Sequence, residues 1–189
     1  VTVGKNVNGV VSAAPMHLLN SEQREAIPQQ DGMYIDIGAS SREEALQYVS
    51  LGDSIQFDCD FMCSGDIITG KALDDRAGCA ILIEMINSEL EYDTCFSFVV
   101  QEEIGLRGAR CAAYTVEPDF AIVVESTTAA DIPNVAQDKR VCCVGEGAVI
   151  SFMDRRTIYD KELVDAAMSC ANENVKVQYK QAVAGGNDA

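Results

Sequence analysis

The chain has 189 residues, 48% of them hydrophobic, and its 14 basic and 30 acidic residues give a formal net charge of −16. This apolar fraction predicts a globular protein with one large or two small domains and excludes a disordered chain. The negative charge argues against nucleic acid and against an anionic membrane as partners, because both attract basic surfaces. We expect no bilayer-spanning segment and no signal peptide, since no sufficiently long apolar run is present.

Strand patterns dominate residues 1–66, in "NGVVSAAP", "GMYIDIGA" and "GDSIQFDCDFM". In the last of these, apolar and polar residues alternate as in a half-buried strand. A short helix is predicted over "SSREEALQYV", where Ser41 and Glu44 have the spacing of a capping box. Short strands around one helix predict a small β-barrel-like or β-rich domain over residues 1–66.

From residue 67 onward, strand and helix patterns alternate. Strands are predicted at "DIITGKAL", "TCFSFVVQ", "DFAIVVE", "GAVISFMD" and "VKVQYKQAV". Helices are predicted at "DRAGCAILIEMINSEL", "LRGARCAAYTV" and "DKELVDAAMSCANEN". This alternation predicts that residues 67–189 form an α/β domain with a layered sheet.

Acidic residues follow three successive predicted strands. Asp74 and Asp75 open a helix after the first strand, Glu102 and Glu103 end the second, and Glu125 ends the third. Because ligand sites in α/β sheets gather at the carboxyl ends of strands, we expect these side chains to share one edge. Clustered carboxylates repel one another unless a cation is present, and divalent metals favour oxygen donors. The alternative is that all five are solvated loop residues.

Eight cysteines are scattered through apolar contexts such as "GCAILIEMI" and "RVCCVGEG". Their spacing matches neither a zinc knuckle nor a disulfide framework. The pattern therefore predicts buried free thiols and a cytoplasmic location.

The motifs "KALDDRAGC", "VVQEEIGLRGAR", "VVESTTAADIP" and "GGNDA" resemble, in that order, motifs of the M42 family of metallo-aminopeptidases, the glutamyl or tetrahedral aminopeptidases. The stretches "GVVSAAPMHLL" and "MYIDIGASSREEA" resemble the inserted β-domain of the same family. The resemblance implies a layered α/β/α metallopeptidase domain with an inserted small β-barrel-like domain. It also implies an enzyme with two divalent ions, Zn²⁺ or Co²⁺, that removes N-terminal residues from short peptides. The family's full-length members form homo-oligomers, tetrahedral dodecamers.

The resemblance also implies roles for individual residues. Asp74 resembles the carboxylate that bridges two metals, and the Asp74–Asp75 peptide bond is a candidate cis bond. Glu102 resembles the general base, and Glu103 resembles a ligand of one metal. Glu125 stands where the family usually has an aspartate ligand for the other metal. No residue is assigned to substrate binding.

The family pattern also requires two histidine ligands, one upstream of the β-domain and one after the "GGNDA" motif. The only histidine here is His17, in "APMHLL", which matches a structural position of the β-domain. We therefore expect residues 1–189 to be an internal piece of a longer enzyme and to be inactive alone.

Two alternatives to an aminopeptidase stay open from the sequence. One is a non-catalytic homologue that acts as a structural or assembly module, which the missing histidines favour. The other is a related metal-dependent deacetylase of acyl-amines, which would use the same acids.

Overall fold

The computed structural model describes residues 1–4, 6–181 and 185–189. They form a mixed α/β protein with two compact units, Val1–Lys71 and Ala72–Ala189. The sequence places the domain boundary slightly earlier, after residue 66.

Short antiparallel strands make up most of the regular structure in the first unit. Strand β1 pairs with β2 and β5, β3 pairs with β4, and β6 pairs with β7; the strands are β1 (Thr2–Val3), β2 (Val7–Asn8), β3 (Val10–Ser12), β4 (Tyr34–Asp36), β5 (Ile55–Gln56), β6 (Met62–Ser64) and β7 (Ile67–Thr69). No sheet closes on itself within residues 1–4 and 6–71, so the predicted barrel is not observed. Ladders of two or three residues are too short to wrap around a barrel, whose strands must tilt and stagger.

Two α-helices of this unit, α1 (Ser21–Glu25) and α2 (Arg42–Ala45), are short; α1 is exposed and the second half of α2 is half-buried. The predicted cap of α2 is confirmed, because Ser41 Oγ accepts a hydrogen bond from the Glu44 N–H at 3.1 Å. In a full capping box the Glu44 carboxylate would accept a hydrogen bond from the Ser41 N–H, but here it accepts one from the Ser40 N–H. His17 lies in an exposed 3₁₀ turn, Met16–Leu18.

The second unit contains three longer helices and one parallel strand pair. They are α3 (Leu73–Ile86), α4 (Arg107–Val116), β8 (Ala148–Ile150), α5 (Lys161–Ser169) and β9 (Val177–Tyr179). Helix α5 packs on β8 and buries Val164. Among the described residues of this unit, Val141 and Cys142 are the other buried hydrophobic side chains.

The layered sheet predicted for this unit is present only in part. The segments 94–101 and 119–125, predicted as strands, make no strand ladder, although α4, the helix predicted after the first of them, is found. Apolar patterning identifies a segment that can be buried, but a strand also needs a neighbour with which to exchange hydrogen bonds. The last predicted strand extends over residues 175–183; its positions 182 and 183 lie outside the described residues.

All eight cysteines are free thiols, as predicted, but only Cys142 is buried. Most of the others are exposed, so the expectation of buried thiols is wrong for them. No helix among the described residues is both long and apolar enough to cross a membrane.

Candidate active site

Asp74 and Asp75 lie in the irregular first turn of α3. Their φ and ψ angles, −88° and 105° for Asp74 and −118° and 49° for Asp75, are not helical. The peptide bond between them is cis, which confirms the prediction. Asp75 Oδ1 accepts a hydrogen bond from the Gly78 N–H at 2.9 Å. Asp75 therefore caps the regular part of the helix, whereas Asp74 is exposed.

Glu102 and Glu103 lie in the tight turn that precedes α4. The Glu102 carbonyl accepts hydrogen bonds from the N–H groups of Gly105 at 3.0 Å and Leu106 at 2.9 Å. The Glu102 side chain is half-buried and that of Glu103 is exposed. The two glutamates, adjacent in sequence, therefore differ in their contact with solvent.

Left-handed backbone conformations border this turn on both sides. Gln101 has φ +64° and Leu106 has φ +58°, a conformation that costs non-glycine residues energy and is concentrated at functional sites. The start of α4 contacts the segment that precedes the turn: the Gly108 N–H donates a hydrogen bond to the Val100 carbonyl at 3.0 Å. A Cβ atom added at Gly108 would lie 2.7 Å from the Val100 nitrogen, so this closure requires glycine.

Glu125 is connected to two distant parts of the second unit. Its Oε1 accepts a hydrogen bond from Asn187 Nδ2 at 3.1 Å. The next residue, Ser126, donates from its hydroxyl to the Leu73 carbonyl at 3.0 Å, directly before Asp74. This second bond holds the Glu125 segment beside the start of α3.

Gly78 allows a close approach between α3 and this segment. A Cβ atom added there would lie 2.7 Å from the Val124 carbonyl oxygen and would also collide with the Asp75 carboxylate. A side chain at this buried position would therefore separate the elements that carry Asp74 and Glu125.

The pKa of Glu102 is raised above its ordinary value of 4.5. Burial is the largest cause, followed by the negative charges of Glu103, Asp188, Asp74 and Asp75. Two of the predicted metal ligands, Asp74 and Glu103, therefore lie close enough to act electrostatically on the predicted base.

Glu125 belongs to the same electrostatic group. Burial raises its pKa, and so do the charges of Glu102 and Asp74, while the hydrogen bond from Asn187 and the charge of Lys180 oppose the rise. We call Asp74, Glu102, Glu103, Glu125 and Asp188 the acidic group.

The chemistry of this group fits a cation. Burial raises the pKa of Asp188. Its Oδ1 is buried and has no hydrogen-bond partner among the described residues, and such an acidic oxygen beside like charges is costly. The donors are all carboxylate oxygens, which suit divalent metals. The described residues nevertheless contain no set of three or more His, Cys, Asp or Glu side chains arranged to hold a metal ion by themselves.

The sequence gives no role to several polar residues connected to Glu125 or Glu102: Asp154, Tyr159, Lys180, Asn187 and Asp188. The motif "GGNDA" contains Asn187 and Asp188, and its resemblance to the family assigns a role to neither residue. A turn after Asp154 is readable from "DRRT", because an aspartate favours bonds to backbone N–H groups just after it. Nothing in that stretch indicates a connection to Glu125.

The model of the M42 glutamyl aminopeptidase family matches residues 1–189, so the chain belongs to the M42 peptidase family. It is 29% identical over 195 residues to a glutamyl aminopeptidase of Lactococcus lactis subsp. cremoris, covering 98% of this chain and 54% of that relative.

Solved structures agree with this family assignment. A TET aminopeptidase from a marine sediment archaeon, Thaumarchaeota archaeon SCGC AB-539-E09, has a TM-score of 0.84 and 34% identity, covering 96% of this chain and 53% of that one. The TET1 peptidase of Pyrococcus horikoshii, described as able to assemble into a tetrahedron or a large octahedral shell, has a TM-score of 0.73 and 33% identity, covering 99% and 57%. The chain therefore spans about half the length of the relatives it matches.

The contact at Gly78 generates a prediction about stability. Gly78→Ala should lower the free energy of unfolding by about 1–3 kcal/mol, because the added methyl group overpacks the space next to the Val124 carbonyl. Urea denaturation measures the change. Gly32→Ala is the control, since a Cβ at Gly32 meets nothing within 4 Å. Equal stability of the Gly78 variant and the wild type would contradict the close approach.

The raised pKa of Glu102 generates a prediction about pH. A carboxyl whose pKa is higher in the folded state binds protons more tightly there, so folding stability falls as pH rises from 4.5 through the folded-state value. In chelator, Glu102→Gln should stabilise the protein at neutral pH and flatten the dependence of stability on pH above 4.5. Thermal unfolding at several pH values measures this.

Glu84→Gln, a substitution at an exposed position of α3, is the matched control and should leave the curve unchanged. A Glu102→Gln curve that runs parallel to that of the wild type would show that the acidic group does not act on Glu102.

Proposed function

We propose that the protein containing this chain is a metal-dependent aminopeptidase that hydrolyses N-terminal residues from short peptides. The observation that carries the proposal is the environment of Glu102: a half-buried carboxyl whose pKa is raised by burial and by four neighbouring acids. A carboxyl with a raised pKa is a stronger base than an ordinary surface glutamate, as a general base requires. Membership of a family of aminopeptidases supports the same reaction.

Asp74, Glu103 and Glu125 are the residues that would hold two divalent ions, Zn²⁺ or Co²⁺, with Asp74 shared between them. When bound, such ions polarise a scissile carbonyl and lower the pKa of water. Zinc prefers nitrogen or sulfur donors, so carboxylates alone suit it poorly. We propose that histidines from parts of the protein outside residues 1–189 complete the set.

Glu102 would act as the general base and then as an acid. It takes a proton from the attacking water and passes it to the leaving amine of the cleaved peptide. Its position beside Asp74 and Glu103, the proposed ligands, supports this role. The turn made by the Gly105 and Leu106 N–H groups on its carbonyl holds the backbone of Glu102 in place.

The proposal extends to assembly and location. The TET1 peptidase of Pyrococcus horikoshii can assemble into a tetrahedron or a large octahedral shell, which supports a homo-oligomer here as well. Residues 1–66 would serve oligomer contacts and substrate access, since their predicted strands carry no clustered acids. The free thiols support a cytoplasmic location, because disulfides are rare in reducing compartments.

The full-length protein should release p-nitroaniline from aminoacyl-p-nitroanilides. It should lose activity in chelator and regain it with Co²⁺ or Zn²⁺. Glu102→Gln should lower kcat by about 10²–10⁴-fold, the usual contribution of a general base, while metal binding is kept. Glu84→Gln, on the exposed face of α3, is the control and should retain full activity.

Other outcomes of this assay contradict the proposal. Hydrolysis of N-acyl amino acids without cleavage of aminoacyl-p-nitroanilides would indicate the deacetylase. Metal-loaded protein that turns over neither substrate would indicate a non-catalytic homologue.

Residues 1–189 expressed alone should bind zinc weakly and show no turnover, because only carboxylate and water ligands would be available. They should also aggregate, since many large apolar side chains are exposed, among them Val100 and Ile122. Calorimetric titration with zinc and light scattering measure both effects. Tight binding of two zinc ions with turnover would show that this part of the chain supplies the missing ligands itself.

A further inference from the structure

A series of hydrogen-bonded polar side chains, here called the hydrogen-bond chain, connects Glu125 to the buried part of the second unit. Asn187 Nδ2 donates both to Glu125 Oε1, at 3.1 Å, and to the Tyr159 hydroxyl, at 2.8 Å. The Tyr159 hydroxyl in turn donates to Asp154 Oδ2 at 2.7 Å. Asp154 and Asn187 are each only 6% exposed, so water competes little for the bonds at that end, whereas Glu125 at the other end is exposed.

Chemistry fixes the direction of every bond in this chain. The Ala189 N–H can only donate, and it donates to Asn187 Oδ1 at 2.9 Å, which turns the amide nitrogen towards Tyr159 and Glu125. Burial and the hydrogen bond to Asp154 raise the pKa of Tyr159 to about 12, so its hydroxyl keeps the proton that it donates. Its oxygen is then left to accept from Asn187.

Asp154 is the fixed end of the chain. Its Oδ1 accepts hydrogen bonds from the N–H groups of Arg156 at 2.6 Å and Thr157 at 2.8 Å in a tight turn. Burial alone would raise the pKa of Asp154, but these bonds, that of Tyr159 and the charge of Lys180 hold it below its ordinary value. The residue is therefore an ionised acceptor that cannot turn away from Tyr159 without losing other bonds.

The other end of the chain is a flexible residue in the acidic group. A glutamate has three side-chain torsions, and fixing them costs conformational entropy. The bond from Asn187 occupies one lone-pair direction of Oε1, and a carboxylate has about four such acceptor sites. The Glu125 carboxylate can therefore be held by Asn187 and still bind a cation.

We propose that Asn187, held in place by Tyr159 and Asp154, is a positioning residue that orients Glu125 to bind one of the two divalent ions. The inference rests on the proposed function, which makes Glu125 a metal ligand. Carboxylates that bind metals are themselves commonly hydrogen-bonded, and loss of such a partner lowers metal affinity or activity by about 10–100-fold. Asn187 thus acts on the metal through Glu125 and not by contact with substrate.

The test uses the full-length protein, stripped of metal and titrated with Co²⁺ by calorimetry and by the visible absorption of the bound ion. Asn187→Ala should lower the affinity for one of the two Co²⁺ ions by about 10–100-fold and change the absorption spectrum of that ion. The affinity for the other ion should stay the same. Tyr159→Phe keeps the Asn187 amide but removes its support, so a smaller loss at the same ion is expected. The double variant should bind no more weakly than Asn187→Ala, because the two residues act as one unit.

Two controls separate positioning from a general loss of stability. Tyr179→Phe removes a hydroxyl from a tyrosine that packs edge-on against Phe152, outside the chain of bonds. Asn172→Ala removes an amide oxygen that accepts hydrogen bonds from the N–H groups of Asn174 and Val175 in a turn. Asn172→Ala should lower the melting temperature, and both controls should leave Co²⁺ affinity and spectrum unchanged.

Glu125→Ala distinguishes failure of this inference from failure of the proposed function. If Glu125→Ala binds both ions as the wild type does, Glu125 is not a ligand and the proposed ligand set is wrong. If Glu125→Ala loses one ion while Asn187→Ala and Tyr159→Phe bind both normally, the ligand set stands and the positioning role is wrong. Equal weakening by the controls would also overturn the inference.

Discussion

The second unit holds several carboxylates close together, and their mutual repulsion is the constraint that the rest of its structure has to offset. Asp74 comes from the irregular first turn of α3, Glu102 and Glu103 from the turn before α4, and Glu125 and Asp188 from two further segments. The charges of neighbouring acids nevertheless raise the pKa values of Glu102 and Glu125. Holding like charges together in partly desolvated surroundings costs free energy. The chain offsets this cost with local restraints: the cap on Asp75, the turn at Glu102 and the amide of Asn187 at Glu125.

Four members of the acidic group, Asp74, Glu102, Glu103 and Glu125, were predictable because their signals are local, whereas Asp188 was not. "KALDD", "VVQEE" and "AIVVE" each place an acid directly after an apolar segment, and that pattern survives even though two of the segments form no strand ladder. The helices were predictable for the same reason, since α4 and α5 have apolar and polar faces of their own. The full layered sheet was not, because a ladder depends on a neighbouring segment that periodicity does not identify.

The support of Glu125 could not be predicted for a related reason. Asn187 lies far along the sequence from Glu125, and Asp154 and Tyr159 lie in a stretch with no motif. A hydrogen bond between residues far apart in sequence depends on the tertiary fold, which composition and local patterns do not determine. What the sequence did contain was the turn-forming aspartate at Asp154, which became meaningful only when its second oxygen was seen to accept from Tyr159.

The central claim is that the acidic group is one half of a two-metal site, and anomalous diffraction tests it most directly. Crystals of the full-length protein with Co²⁺, measured at the cobalt absorption edge, locate the ions without assuming their ligands. The account predicts two peaks about 3.5–4 Å apart, with Asp74 between them, Glu103 on one and Glu125 on the other, and Glu102 beside both. Peaks bound by other residues, with Asp74 and Glu125 free of metal, would contradict it.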